Sequence, residues 1–180
     1  SSSASSWRPL RLVDAGPHIG DCLLWASAAL GETRPLRGLA VEPVAQVVDR
    51  FRRSIVANGF DIDLRHAWLG DKSTATGAEN EVPWVRMDDL LDEDIDIFKI
   101  HTNGGERQIL DGAAGLFARH KVRVVIVHSA EQHQLWNSAV FLLDRGYTVR
   151  VNGRSLTLRD EALVKGLVSE LGGLQLHALV

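Results

Sequence analysis

Strand-length apolar runs alternate with segments whose apolar residues recur at helical spacing, and this alternation constrains the fold more than any other feature of the chain. Leu10 to Val13 is such a run; it ends in Asp14-Ala15-Gly16 and is followed by Ile19, Leu23, Ala26 and Leu30 along one helix face. Leu39 to Val41 repeats the unit, with Glu42-Pro43 as the turn and Val44, Val47, Val48, Phe51 and Ile55 on the next helix. Asp61 to Trp68 is a third strand, Val82 to Val85 a short extended piece, and Ile95 to Ile100 a fourth strand. The pair Gly104-Gly105 then opens one helix through Ile109, Leu110, Ala113, Leu116 and Phe117. Val122 to Val127, apolar on both faces, is a central fifth strand. A helix through Leu135, Ala139 and Leu142, a strand Tyr147 to Val151, a helix through Val164 and Val168, and a strand Leu174 to Leu179 complete the pattern. Seven strands alternating with helices predict a doubly wound α/β fold, a mostly parallel sheet with right-handed crossovers and helices on both faces. In such sheets ligands bind beyond the carboxyl ends of the strands.

The chain's 180 residues are enough for one full-sized core, and one domain over residues 10–180 is expected behind a flexible Ser-rich leader, residues 1–9. That leader reads as a linker or as the remnant of a transit segment. A net charge of -3 gives no electrostatic reason for a nucleic-acid partner. The longest apolar runs are strand-sized, so no transmembrane segment is expected. Cys22 is the single cysteine, which excludes an internal disulfide and a cysteine-based metal centre. An intracellular soluble protein follows, cytoplasmic, or plastid or mitochondrial if the leader is a transit remnant.

The turn Asp14-Ala15-Gly16-Pro17-His18-Ile19-Gly20-Asp21 has glycines that allow a ligand close to the backbone and a helix start that favours an anionic group. Glu42, ending the second strand, is placed to accept both hydroxyls of a ribose. Gly70 to Glu81 reads as a polar loop over a pocket, with Trp84 beside it as a lid. The other tryptophans, Trp7, Trp25, Trp68 and Trp136, read mostly as core or pocket wall.

In sequence and order, LVDAGPHIGD, AVEP, WLGD, VRMDDLL, FKIHTNGGERQILDGA and DRGY resemble the motifs of the FkbM-type family of S-adenosylmethionine-dependent methyltransferases, over roughly Arg11 to Tyr147. The resemblance implies a Rossmann-like methyltransferase fold with S-adenosylmethionine as cofactor. Asp14, Gly16 and Gly20 would then form the first motif, with the glycines against the methionine part. Glu42 would take the ribose, Gly70 and Asp71 would lie near the adenine, and Asp88 would stand at an acidic position of the family. It further implies O-methyl transfer to a hydroxyl of a small molecule or sugar. The chain departs from the family pattern at Pro17-His18 in place of Ala-Asn, at His101 and Asn103 in place of Asp and Glu, and at His128 in place of an acid.

His101 is the candidate proton acceptor, beside Asp88 as the second catalytic candidate. Asp88 also reads as a helix cap. His18, His101 and His128 follow neighbouring strands, which makes them the candidates for a three-histidine metal site; the alternative, that no metal is held, is the favoured reading. Three functions remain open: an active methyltransferase, a catalytically inactive methyltransferase-like subunit in a larger assembly, organellar if the leader is a transit remnant, and a different nucleotide-dependent enzyme on the same fold.

Overall fold

In a computed structural model that describes residues 8–31, 33–74, 81–151, 153–171 and 173–180, the strand–helix alternation is realised as a Rossmann-like α/β sheet. Trp7 and most of the Ser-rich leader, residues 75–80 of the long loop, and Asn152 of the expected tight turn lie outside the described residues. The first half runs β1 (Leu10–Ala15), α1 (Asp21–Leu30), β2 (Leu36–Glu42), α2 (Ala45–Asn58) and β3 (Ile62–His66). The short pieces β4 (Trp68–Leu69), β5 (Trp84–Val85) and α3 (Met87–Leu90) follow. The second half runs β6 (Ile95–Ile100), α4 (Glu106–Asp111), α5 (Ala114–Arg119), β7 (Val122–Ser129), α6 (Gln132–Leu143), β8 (Thr148–Val151), β9 (Arg154–Ser155), α7 (Glu161–Leu171) and β10 (Leu174–Leu179).

Among the described residues eight strands join one sheet in the order β3-β2-β1-β6-β7-β10-β8-β9. From β3 to β7 all pairings are parallel, and β10 runs antiparallel to both of its neighbours. The order reverses between β1 and β6, which leaves a crevice at their carboxyl ends. The eighth strand, β9, is an addition to the seven expected. Gly153, at φ +76°, reverses the chain so that Arg154–Ser155 pairs with β8.

Two clusters divide the core. Leu12, Leu23, Leu36, Ala40, Phe51 and Ile55 sit under α1 and α2 on one face. The larger cluster on the other face is built around Phe98, Ile100, Val125, Val127, Leu135 and Leu142. Along β10, Leu174, Leu176 and Ala178 are buried while Gln175, His177 and Leu179 are exposed, so at this end one face packs and the other meets solvent.

The elements depart from the sequence pattern in three places. Helix α1 starts at Asp21, so Ile19 precedes it and is exposed. The third strand ends at His66, and Trp68–Leu69 peels away to pair in parallel with Trp84–Val85 as a separate two-stranded sheet. The helix expected from Glu106 through Phe117 is broken at Gly112-Ala113. A Cβ at Gly112 would meet the Gly70 carbonyl oxygen at 1.9 Å, so the chain here is shaped to admit the backbone of the β4 loop.

Candidate functional site

A pocket of about 540 Å³ opens where β1, β2 and β6 end, within the usual range for small-molecule sites. Its two ends differ in chemistry. Pro43, Val44, Ala67, Trp68, Leu69 and Trp84 make one end apolar, and the indoles of Trp68 and Trp84 stack with centroids 5.5 Å apart and planes at 19°. His18, His101, Thr102, Asn103 and Gln108 make the other end polar. Among these lining residues Glu42 is the one carboxylate, and it stands between the ends.

Glu42 is buried, and main-chain donors hold both of its oxygens. The His18 N–H donates to Oε2 at 3.1 Å and the Val44 N–H to Oε1 at 3.0 Å. A carboxylate has about four lone-pair sites, so two acceptors stay open toward the pocket, which matches a vicinal diol. His18 adopts φ +54°, an uncommon conformation for a residue with a side chain, and this turn aims its N–H at the carboxylate.

The glycines of the first turn are required by packing. A Cβ on Gly16, at φ +75°, would lie 2.2 Å from the His101 carbonyl oxygen, and one on Gly20, at φ +82°, would enter the Phe51 ring at 2.0 Å. Gly16 also lines the pocket. Gly20 does not, so its expected contact with a cofactor is replaced by close seating of α2. Gly70, likewise outside the lining, lies 3.0 Å by its hypothetical Cβ from the Trp84 ring, and Asp71 is exposed beside it.

The loop after β6 is organised from beneath by Glu106, which is fully buried. Its Oε1 accepts from the backbone N–H of Thr102 and of Gly104, both at 3.2 Å, and its Oε2 from the Ser129 hydroxyl at 3.3 Å. Asn103 turns at φ +58° and Gly104 at φ +123° to present these donors inward. His101 opens the loop, and its Nε2 lies 2.8 Å from Nδ1 of His128 at the end of β7. Burial, then the neighbouring His128, then Lys99 hold the His101 imidazole below its ordinary value.

Two acids expected at the site act elsewhere. Asp14 is fully buried, and its Oδ1 accepts from the Lys99 ammonium at 2.7 Å. Burial pushes its carboxyl up and Lys99 opposes that. Asp88 lies outside the pocket lining, which corrects its expected catalytic place. Its Oδ1 accepts from the Leu116 N–H at 2.6 Å, and its Oδ2 accepts from the Gly115 N–H at 3.1 Å and pairs with Arg86. The carboxylate caps α5. His101 and His128 converge, but among the described residues no group of three or more His, Cys, Asp or Glu is placed to hold a metal. Nor is any helix among them long and apolar enough to cross a membrane. Trp25, expected in a wall, is 74% exposed on α1, whereas Trp136 is buried.

Sequence reasoning passed over Trp68 as a partner of Trp84, and Thr102 and Gln108 as pocket walls. The signal for Trp68 was its position directly after the third strand, on the ligand side of the sheet.

A mostly parallel open sheet with the antiparallel β10 inserted between β7 and β8, a pocket at the switch point and a carboxylate ending the second strand has the arrangement of the class of Rossmann-like methyltransferases. Within it the chain belongs to the FkbM methyltransferase domain family, whose model matches residues 38–149. Among solved structures it is similar to the FkbM methyltransferase of Methylobacillus flagellatus KT, with a TM-score of 0.68 and 16% identity over 97% of this chain and 45% of that one. The chain thus spans less than half the length of that protein. It is also similar to precorrin-6y C5,15-methyltransferase of Geobacter metallireducens GS-15, with a TM-score of 0.59 and 18% identity over 96% of this chain and 82% of that one. The N-terminal domain of human METTL16, solved in complex with SAH, has a TM-score of 0.52 and 15% identity over 95% of this chain and 61% of that one. No curated protein matches the chain in sequence.

Proposed function

We propose that the pocket binds S-adenosylmethionine and that residues 10–180 form one methyltransferase unit acting on a hydroxyl of a small molecule or sugar. The observation that carries this reading is Glu42, a buried carboxylate fixed by two backbone donors with its remaining acceptors facing the pocket. The indoles of Trp68 and Trp84 offer a flat apolar wall for the base, and the polar loop from His101 to Gly105 receives the amino-acid end. When bound, the cofactor supplies a methyl group made electrophilic by its sulfonium.

His101 is the proton acceptor in this reading. Its Nε2 is engaged by His128, so Nδ1 is the ring nitrogen left to meet a hydroxyl from the pocket it lines. With the donor held there, an attacking hydroxyl would take that methyl group, and His101 would take the proton the hydroxyl gives up. A depressed imidazole is neutral near pH 7 and ready for that role.

A second reading is favoured by a specific observation: among the described residues no pocket-lining acid other than Glu42 is present, and His101 and Asn103 stand where the family pattern has carboxylates. On that reading the chain is an inactive methyltransferase-like subunit of a larger protein assembly. Calorimetric titration with S-adenosylmethionine tests both. The unmodified chain should bind, and Glu42→Ala should weaken binding about 100-fold, the loss of two charge-assisted hydrogen bonds. No heat from the unmodified chain removes the enzyme reading. Binding followed by failure to transfer a labelled methyl group to any of a panel of hydroxylated sugars and phenols favours the subunit.

A further inference from the structure

The His101 and His128 rings meet edge to face at the ends of two adjacent strands, with centroids 4.2 Å apart and planes at 70°. A 2.8 Å N···N contact admits one hydrogen between the nitrogens. The neutral pair satisfies this, and so does the pair carrying one extra proton. A second extra proton would set two N–H groups against each other in addition to two like charges. The two rings therefore titrate as one unit that takes up a single proton.

The charged surroundings of the pair are largely settled. On β6, Lys99 is bound to Asp14 of β1. On α4, Glu106 is occupied by the loop and by Ser129. Asp21 on α1 acts at longer range. Glu42 and His18 line the same pocket. On β10 the uncharged Gln175 is in register with His128, and the exposed His177 lies two residues further along. Glu131, against Gly104, sits above the loop. The pair thus stands at the polar end of the pocket with room for one further proton.

We propose that the His101–His128 pair is a one-proton charge switch that sets the pocket's preference between the cationic sulfonium donor and its neutral thioether by-product. The inference rests on the pocket reading given above. With the base against the indoles and the ribose on Glu42, the ligand's own connectivity puts sulfur beyond the ribose, on the His101 side. A neutral pair admits the sulfonium. A protonated pair repels it and leaves the thioether nearly unaffected, since the two ligands differ only in one methyl group and one charge. Methyl transfer leaves the hydroxyl proton on this pair, so the positive charge passes from sulfur to the imidazoles. Entry of fresh donor then waits for that proton to leave.

The test needs no methyl acceptor. Affinities of the full chain for S-adenosylmethionine and S-adenosylhomocysteine are measured by calorimetry at pH 8 and pH 5, and the ratio of the two is compared. The His101→Gln/His128→Gln variant, measured in parallel, carries every contribution from Glu42 and from the ligands' own groups, so the difference between the two chains isolates the pair. The preference should move toward S-adenosylhomocysteine by about tenfold at pH 5, as expected for a like charge nearby in a partly buried site, and the shift should vanish in the His101→Gln/His128→Gln variant. A ratio constant with pH in the unmodified chain, with both ligands bound, overturns the switch and leaves the pocket reading intact. A shift that survives in the double variant overturns it too and places the effect outside the pair. Binding of neither ligand at pH 8 removes the pocket reading and the switch together.

Discussion

The two sides of the pocket are built from the same strand–turn–helix unit, yet their acids do opposite work. On the β2 side, Glu42 is gripped by the main chain and shows its free acceptors to the pocket. On the β6 side, Glu106 is just as buried but faces away, spending both oxygens on the loop and on Ser129. At His101 and Asn103, where a carboxylate would meet a ligand, none is present. The difference teaches that the shape of the loop after β6 does not depend on carboxylates at its tip, because Glu106 beneath it accepts from the loop's backbone donors.

The variant expected to do most damage tests whether both sides depend on one hinge. Gly16→Ala forces a side chain into the His101 carbonyl at a left-handed φ, so it should destabilise the chain by at least about 3 kcal/mol and abolish binding on both sides. Denaturant titration reads this directly, and a loss below about 1 kcal/mol would mean that the two turns are not tightly apposed. Asp88→Ala should cost about 2 kcal/mol of stability through two orphaned N–H groups at the start of α5, with donor affinity unchanged. A fall in affinity without a fall in stability would return Asp88 to the site.

Trp84→Ala should weaken S-adenosylmethionine about tenfold with little change in Tm, the scale of one lost base–aromatic contact. That outcome sharpens the contrast by assigning affinity to the β2 side. The smallest effect concerns pH. The folded pKa of His101 is depressed, so the unfolded chain binds the proton more readily. Stability is therefore fully present above the ordinary histidine value of 6.5 and declines as pH falls below it. Melting curves at pH 7.5 and pH 5.5 should show the drop, and His101→Gln should flatten it. Asp14, with its carboxyl pushed up, acts in the opposite sense.

Much of the architecture was legible because strands buried on both faces and amphipathic helices leave separate periodicities in the chain. What stayed hidden depended on contacts remote in sequence. Gly112 reads as an ordinary helix residue until the Gly70 carbonyl arrives beside it, and that contact splits α4 from α5. Gly16 and Gly20 were recognised as necessary, but the packing that requires them was not visible. The pattern of a glycine turn is the same whether a ligand or a phenylalanine ring approaches, and for Gly20 it is Phe51. At the site, Glu42 and His101 were readable from their positions after strands. Trp68 was not singled out, because its stacking with Trp84 requires the β4–β5 ribbon, which no local pattern announces. The pairing of His101 with His128 followed from strand adjacency, whereas His18 stayed apart because its turn is drawn toward Glu42.

Strand β10 follows β8 in sequence but lies between β7 and β8 in the sheet. During synthesis on the ribosome, β7 and β8 therefore emerge with a strand-wide slot between them, and Val125, Val127, Val149 and Val151 wait beside it. The edge of β7 is a hydrogen-bonding template for any extended segment until β10 arrives. Nascent chains halted before Leu174 should be prone to wrong strand pairing and to chaperone capture, and release of the six residues of β10 should end that vulnerability in one step.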